Sequence, residues 1–305
     1  MSPAKTPKVR TCGHMVVHEL LAETQPEYRE RRLAAEAETR KSIDTGQALR
    51  VTAKLVTIQV VVHIVLEKDE KEVTDAQVKT QIDALNRDYR AKNADRSKVP
   101  AVWKSLVIDS NIQFVLANKD PKGKSTSGIT RARTDNDEFG LDNKVKAART
   151  GGIDPWPTDR YLNLWVCDLG PRLLGYAQFP GGPSKTDGVV IHMSAFGSQG
   201  TAKAPFNKGR TATHEVGHFL GLRHIWGDKN DCSGDDFIAD TPPARRANTG
   251  KPKFPQVTCN NGPNGDMFMN YMDYVDDDSM FMFTAAQVGR MNATLAGPRK
   301  KLAGL

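Results

Sequence analysis

Thr213-His214-Glu215-Val216-Gly217-His218-Phe219-Leu220-Gly221-Leu222-Arg223-His224 is the stretch whose reading decides the fold. Residues four apart share one face of a helix, so His214 and His218 can offer both imidazoles to one metal ion. Gly221 breaks the helix and lets the chain swing away, which can deliver His224 as a third ligand. Three neutral nitrogens with one open position is the donor set of a catalytic zinc, whereas a structural zinc closes with a fourth protein ligand. Glu215 stands beside the first ligand, where it can hold a zinc-bound water and take its proton. The pattern H-E-x-x-H therefore reads as zinc-assisted hydrolysis with the glutamate as general base. An amphipathic helix with incidental histidines would be harmed by a glycine at 221 unless the chain must turn there.

Outward from this helix, the patterning describes a mixed sheet with helices on one face, an α/β (α+β) fold. The β-branched run Leu55–Leu66 predicts a central strand, and alternation predicts others over 112–116, 161–168 and 188–193. Residues 174–182 suit a kinked strand or bulge at a sheet edge. A helix is expected over 76–89, capped by Thr74 or Asp75, with Val78, Ile82, Leu85 and Tyr89 on one face. Another starts after Thr284 and turns Val288, Met291 and Leu295 inward. Residues 128–152 and 228–265 read as loop-rich. The charged, alanine-rich run 26–40 reads as a helix laid on something else or as a solvated linker, broken over 42–46.

The chain has 305 residues, with 43 Lys plus Arg against 36 Asp plus Glu, a net charge of +7. The excess is spread along the chain, and no basic cluster interleaves with aromatics, so no nucleic-acid partner is expected. No apolar run is long enough to span a bilayer, and no membrane partner is expected. Residues 1–10 lack the apolar core of a signal peptide. Four cysteines allow three pairings if all are bridged. Cys167, on an alternating strand, reads as a buried free thiol.

The extended spacing H-E-x-x-H-x-x-G-x-x-H is the signature of metzincin proteases. Together with Gly175–Pro180, Cys232, Asp236, Asp240-Thr241-Pro242, Cys259 and Asn270-Tyr271-Met272-Asp273-Tyr274, it resembles the pappalysin family of metzincin zinc metalloproteases, in particular its ulilysin-like members. The resemblance implies a metzincin-type catalytic domain with a mixed, mostly parallel twisted β-sheet, an active-site helix and an irregular C-terminal subdomain. It implies Zn(2+) on His214, His218 and His224, catalysis by Glu215 with Tyr274 near the metal or the oxyanion, and Met272 as an apolar base beneath. It also implies a Cys232–Cys259 disulfide and Ca(2+) near Asp236, Asp240 and Thr241. The surrounding acids Asp231 and Asp235 suit the same hard cation. A disulfide fits an extracellular, secreted destination.

Arg10-Thr11-Cys12-Gly13 resembles the cysteine-switch segment of this family's propeptides. By that resemblance Cys12 holds the zinc in a latent form, Arg10 pairs with an acid in the cleft, and residues 1–50 are a propeptide acting as intramolecular inhibitor. The catalytic domain is then 51–305, divided near 221–222 into N- and C-terminal subdomains. Asp277 is implied as the floor of a pocket that takes Arg or Lys immediately after the cleaved bond of a protein or peptide substrate. The competing readings are a zinc hydrolase of non-peptide amides and an inactive binding module that keeps its metal. The intact Glu215 speaks against the second.

Overall fold

Val56–Glu67 forms strand β1, which runs through the middle of the molecule. Its residues are branched at Cβ and already restricted, so the extended backbone costs them little. Every residue from Val60 to Leu66 is buried, so the strand is covered on both faces. A computed structural model of the chain describes residues 7–48 and 54–305.

Strands β2 (Ile112–Leu116), β3 (Ile129–Thr134), β4 (Leu162–Cys167), β5 (Gly175–Ala177) and β6 (Val189–His192) complete a six-stranded sheet ordered β2-β1-β4-β6-β5. β2 lines the first half of β1 and β3 the second half, on the same side. All pairings are parallel except that of β5, which lies antiparallel to β6 at the edge. The kink expected over 174–182 is this edge strand. β3 falls inside the segment expected to be loop-rich. Its strand character is hidden because Arg131 and Arg133 point out to Glu72 and Asp75 instead of into a core.

Helix α3 (Asp75–Tyr89) is capped by Thr74, whose hydroxyl accepts from the Gln77 amide at 3.2 Å. The expected residues Val78, Ile82, Leu85 and Tyr89 enter the main core, where they meet Ala212, Val216 and Phe219 of helix α4 (Arg210–Phe219). The opposite face of the sheet carries Trp165, Cys167, Tyr176 and Val190. Residues of the 139–153 segment cover it together with Val17 and Leu21 of α1 (His14–Thr24) and Tyr28 of α2 (Pro26–Asp44).

α2 runs on to Asp44, past the break expected at Ser42. It packs against α5 (Ala285–Ala296), so the helix is laid on the domain and is not a free linker. Its buried face is Tyr28, Arg32, Ala35, Thr39 and Ser42. Three of these are polar, which explains the thin apolar stripe in the sequence. Arg32 is paired with Glu36 at 3.1 Å, and Glu36 also accepts from Arg290 of α5 at 2.7 and 2.8 Å.

After His224 regular structure is sparse: β7 (Thr249–Gly250) pairs with β8 (Tyr274–Val275), and α5 follows behind a Thr284–Gln287 capping box. Burial is not sparse, however. Met267, Phe268, Met269, Tyr271, Met272, Met280, Phe281, Met282 and Phe283 all lie in the main core without helix or strand period. Cys232 and Cys259 form a disulfide, Cα–Cα 5.8 Å, and Cys167 is a buried free thiol. The bridge ties the loops of 228–265 alone, because 267–283 is already anchored by burial. Reduction is therefore expected to cost about 3 kcal/mol. Hydrogen exchange should show loosening confined to those loops, and uniform loosening of the catalytic core would contradict this.

Candidate active site

α4 carries His214 and His218 one turn apart, and the chain leaves it at Gly221 with φ +91°, a left-handed conformation that glycine adopts freely. The amide of Gly221 donates to His218 O and that of Leu222 to Gly217 O, closing the helix end. The turn returns His224 to the helix. The three Nε2 atoms are then 3.1, 3.1 and 3.3 Å apart. A tetrahedral zinc with bonds of about 2.0–2.1 Å spaces its nitrogens about 3.3 Å apart.

Each outward nitrogen is pinned. Nδ1 of His214 donates to Tyr271 O at 2.7 Å, that of His218 to Leu222 O at 2.9 Å, and that of His224 to an Asp228 oxygen at 2.5 Å. These contacts fix the tautomer that leaves Nε2 with a free lone pair. Burial, then the neighbouring imidazoles, pushes His214 and His218 well below the usual range, so both stay neutral. The residues thus fit a metal. Among the described residues, Cys12, His214, His218 and His224 are the group whose ligand atoms all lie within 4.8 Å of one another.

Cys12 reaches this cluster from the N-terminal segment. Its Sγ donates to Glu215 Oε2 at 3.2 Å, and its amide donates to the Tyr274 hydroxyl at 3.2 Å, which lies 3.3 Å from Cys12 O. Gly13 N–H donates to Gly175 O and Leu174 N–H to Thr11 O, a parallel bridge onto the sheet edge at β5. Burial is the main force raising the Cys12 thiol well above its usual range, and it pushes Glu215 up to about 8 against the pull of Cys12 and Arg10. Tyr274 is likewise raised by burial and stays a hydroxyl donor.

Arg10 enters a closed pocket. One guanidinium nitrogen meets Asp277 Oδ1 at 2.5 Å, Nη1 donates to Thr211 Oγ1 at 3.0 Å, and Nε to Val275 O at 3.1 Å. Both partners of the ion pair are buried. The second Asp277 oxygen accepts from the Lys208 amide at 2.7 Å. The acid is thus held by the approach to α4 and by the stretch after β8.

Met272 is fully buried beneath α4, and a Cβ on Gly217 would come within 2.5 Å of its Sδ. Gly217, Asp228 and His14 belong to the site but were not singled out by the sequence. His14 stacks on His218 at 3.8 Å with rings 4° apart. Only the clash at Gly217 follows from the motif, and only once Met272 is known to lie under it.

The acids expected to hold calcium do not converge. Asp240 accepts from Thr284 Oγ1 at 2.5 Å and from the Ala286 amide at 2.9 Å, so it caps α5. Asp236 accepts from Thr241 Oγ1 at 2.9 and 3.0 Å and from the Ile238 amide at 3.1 Å, and burial pushes it up to about 7. Asp231 and Asp235 each cap a local turn through Ser233 N and Phe237 N.

The parallel sheet, the helix with two pinned histidines and the third imidazole after a glycine turn define a metalloprotease of the metzincin class. A family model described as pregnancy-associated plasma protein-A matches residues 152–296. An extracellular metalloprotease of Arthroderma otae is 32% identical over 242 residues, 77% of this chain and 76% of its own length. Extracellular metalloprotease 1 of Coccidioides posadasii is 41% identical over 212 residues, 66% of this chain and 72% of its own length. The chain belongs to that family of peptidases, the pappalysins. Among solved structures, a Tannerella forsythia promirolysin variant with one glutamate replaced by alanine superposes at TM-score 0.87 with 44% identity, covering 96% of this chain and 97% of its own. Mature mirolysin of the same organism, in complex with a cleaved peptide, gives TM-score 0.80 and 48% identity, covering 82% of this chain and 96% of its own.

Proposed function

We propose that this chain is the latent form of a secreted zinc endopeptidase that cleaves peptide bonds before Arg or Lys. The observation that carries it is the set of three pinned imidazoles whose Nε2 atoms are spaced as tetrahedral zinc requires. Zinc at that point supplies Lewis acidity, which makes water a nucleophile and polarises the substrate carbonyl. Glu215 takes a proton from the attacking water and hands it to the leaving amine, a task its place beside the first imidazole of the cluster suits. Tyr274, kept protonated, donates to the oxyanion. Met272 supports the histidines from below, and Asp277 orients the residue after the cleaved bond. Family membership sets aside the non-peptide hydrolase and the inactive module.

Residues 1–50 act as the propeptide and 51–305 as the catalytic domain, with subdomains about 51–221 and 222–305. The boundary itself lies outside the described residues. Mature mirolysin covers less of this chain than the pro form, which supports a cut of this kind. Of the basic residues before which the chain could cut itself, Arg40 and Lys41 lie inside α2 and Arg50 lies outside the described residues. The relatives named extracellular metalloproteases support secretion, and no helix of the described residues is long and apolar enough to cross a membrane. Mass spectrometry of the fragments that the matured chain releases from an unstructured protein tests the reading. Arg or Lys is expected immediately after the cut; an untouched protein beside a zinc-loaded chain would overturn it.

Cys12 is read as the fourth zinc ligand of the latent form. X-ray absorption at the zinc edge of the full chain should show sulfur beside nitrogen, and Cys12→Ala should remove it and hasten self-processing. A nitrogen and oxygen shell alone would refute this.

Of the calcium ligands expected near Asp236, Asp240 and Thr241, we keep Asp236 and Thr241 as the proposed site, since Asp240 is committed to capping α5. The buried Asp236 carboxylate, whose charge the protein does not neutralise with a described Lys or Arg, is what supports it. Chelation should lower the melting temperature and calcium should restore it; indifference to both would count against the site.

A further inference from the structure

The N-terminal segment runs from Asp277, met by Arg10, past the histidine cluster at Cys12 to Phe179, which it covers from His14 on. His14 meets that ring edge-on at 3.9 Å and His18 at 5.5 Å, while the Arg32 guanidinium lies over it at 4.4 Å. Arg223, next to His224, borders the same place. Its charge is felt by both His18 and Arg32, in each case as a repulsion. The guanidinium stacks on Phe237 at 4.8 Å, and Phe237 is held half-exposed in a left-handed conformation, φ +61°. Arg223 Nε is buried and has no hydrogen-bond partner among the described residues, and no described carboxylate pairs with this side chain.

A buried donor without an acceptor is costly, and a like charge set against it adds to the cost. On the propeptide side, the carboxylate of Glu36 is already committed to Arg32 and Arg290. The latent arrangement therefore leaves the Arg223 Nε without an acceptor. Departure of α1 and α2 takes His14, His18 and Arg32 away together, bares the ring of Phe179 and leaves the Arg223 guanidinium with Phe237 as its described contact. If Asp277 receives the residue after the cleaved bond, the groups across the histidine cluster face the residues before it.

We propose that in the matured enzyme Arg223 and the face of Phe179 form a subsite for the residues preceding the cleaved bond, and that Arg223 selects an acidic side chain there. The proposal rests on the endopeptidase reading above. The enzyme then reads opposite charges on the two sides of the bond, an acid before it through Arg223 and a base after it through Asp277. Arg is suited to this because its planar fork can grip a carboxylate with two parallel bonds.

The test is a mixed peptide library digested by the full chain after maturation, compared with Arg223→Gln, Arg223→Glu and Arg223→Lys. The wild type should enrich Asp or Glu at one position before the cut, by about fivefold over neutral residues. Arg223→Gln should abolish the enrichment, raising KM for the acidic peptide with little change in its kcat. Arg223→Glu should turn the preference toward Lys or Arg, and Arg223→Lys should keep the acidic preference, which guards against a variant that merely misfolds. Cuts before Arg or Lys with no acidic enrichment, or an enrichment that survives Arg223→Glu, overturn the subsite alone. Absence of any cut by the wild type fails the endopeptidase reading instead.

Discussion

Glu215→Ala is expected to keep its zinc and lose about 10²- to 10⁴-fold in turnover, the range of a positioned general base. Metal retention follows from the geometry. The three ligands are oriented by Tyr271 O, Leu222 O and Asp228, none of which touches Glu215. Glu215 is itself buried, and the side-chain partner that its carboxylate has in the latent form is the Cys12 thiol. Truncation therefore removes a proton carrier without disturbing the cradle. The full-length variant should also accumulate unprocessed. Zinc stoichiometry by elemental analysis and hydrolysis of a fluorogenic peptide decide the matter: near-normal turnover with one zinc bound would sink the mechanism.

The second large effect is expected at Asp277. In the latent chain Asp277→Ala leaves the Arg10 guanidinium buried without its counter-charge and strips the Lys208 amide of its acceptor. Breaking one side of a buried ion pair costs about 3–5 kcal/mol. The propeptide should then release more readily, seen as activity in the uncut chain. In the matured enzyme the same truncation should lower kcat/KM for peptides with Arg or Lys after the cut, relative to apolar ones, by about 10²- to 10³-fold. Asp277→Asn separates specificity from folding, since its amide oxygen can still accept from Lys208 N–H while the charge is gone. A fragment profile indifferent to both substitutions would show that Asp277 is not the pocket floor.

The histidine cluster was legible in the sequence because the helix period alone places His214 over His218, and a glycine at 221 announces the turn that returns His224. The central strand, α3 with its Thr74 cap and α5 behind Thr284 were legible for the same reason: period and capping are local chemistry. α1, β3 and the methionine-rich core of 267–283 were not read. β3 wears its arginines outward at an edge, and the core stretch buries its side chains without any repeating period. The face of α2 hid behind Arg32, Thr39 and Ser42, buried polar residues that no apolar period marks.

Sequence by itself determined the helix face that pairs His214 with His218, the turn that returns His224, and most of the strands and helices around them, since each rests on spacings of a few residues. Only the tertiary structure decided that Arg10 meets Asp277 across 267 positions, that Cys12 sits against Glu215, and that Gly217 must lack a side chain because Met272 lies beneath it. Such contacts join distant segments through packing and burial, and no local pattern carries their distances.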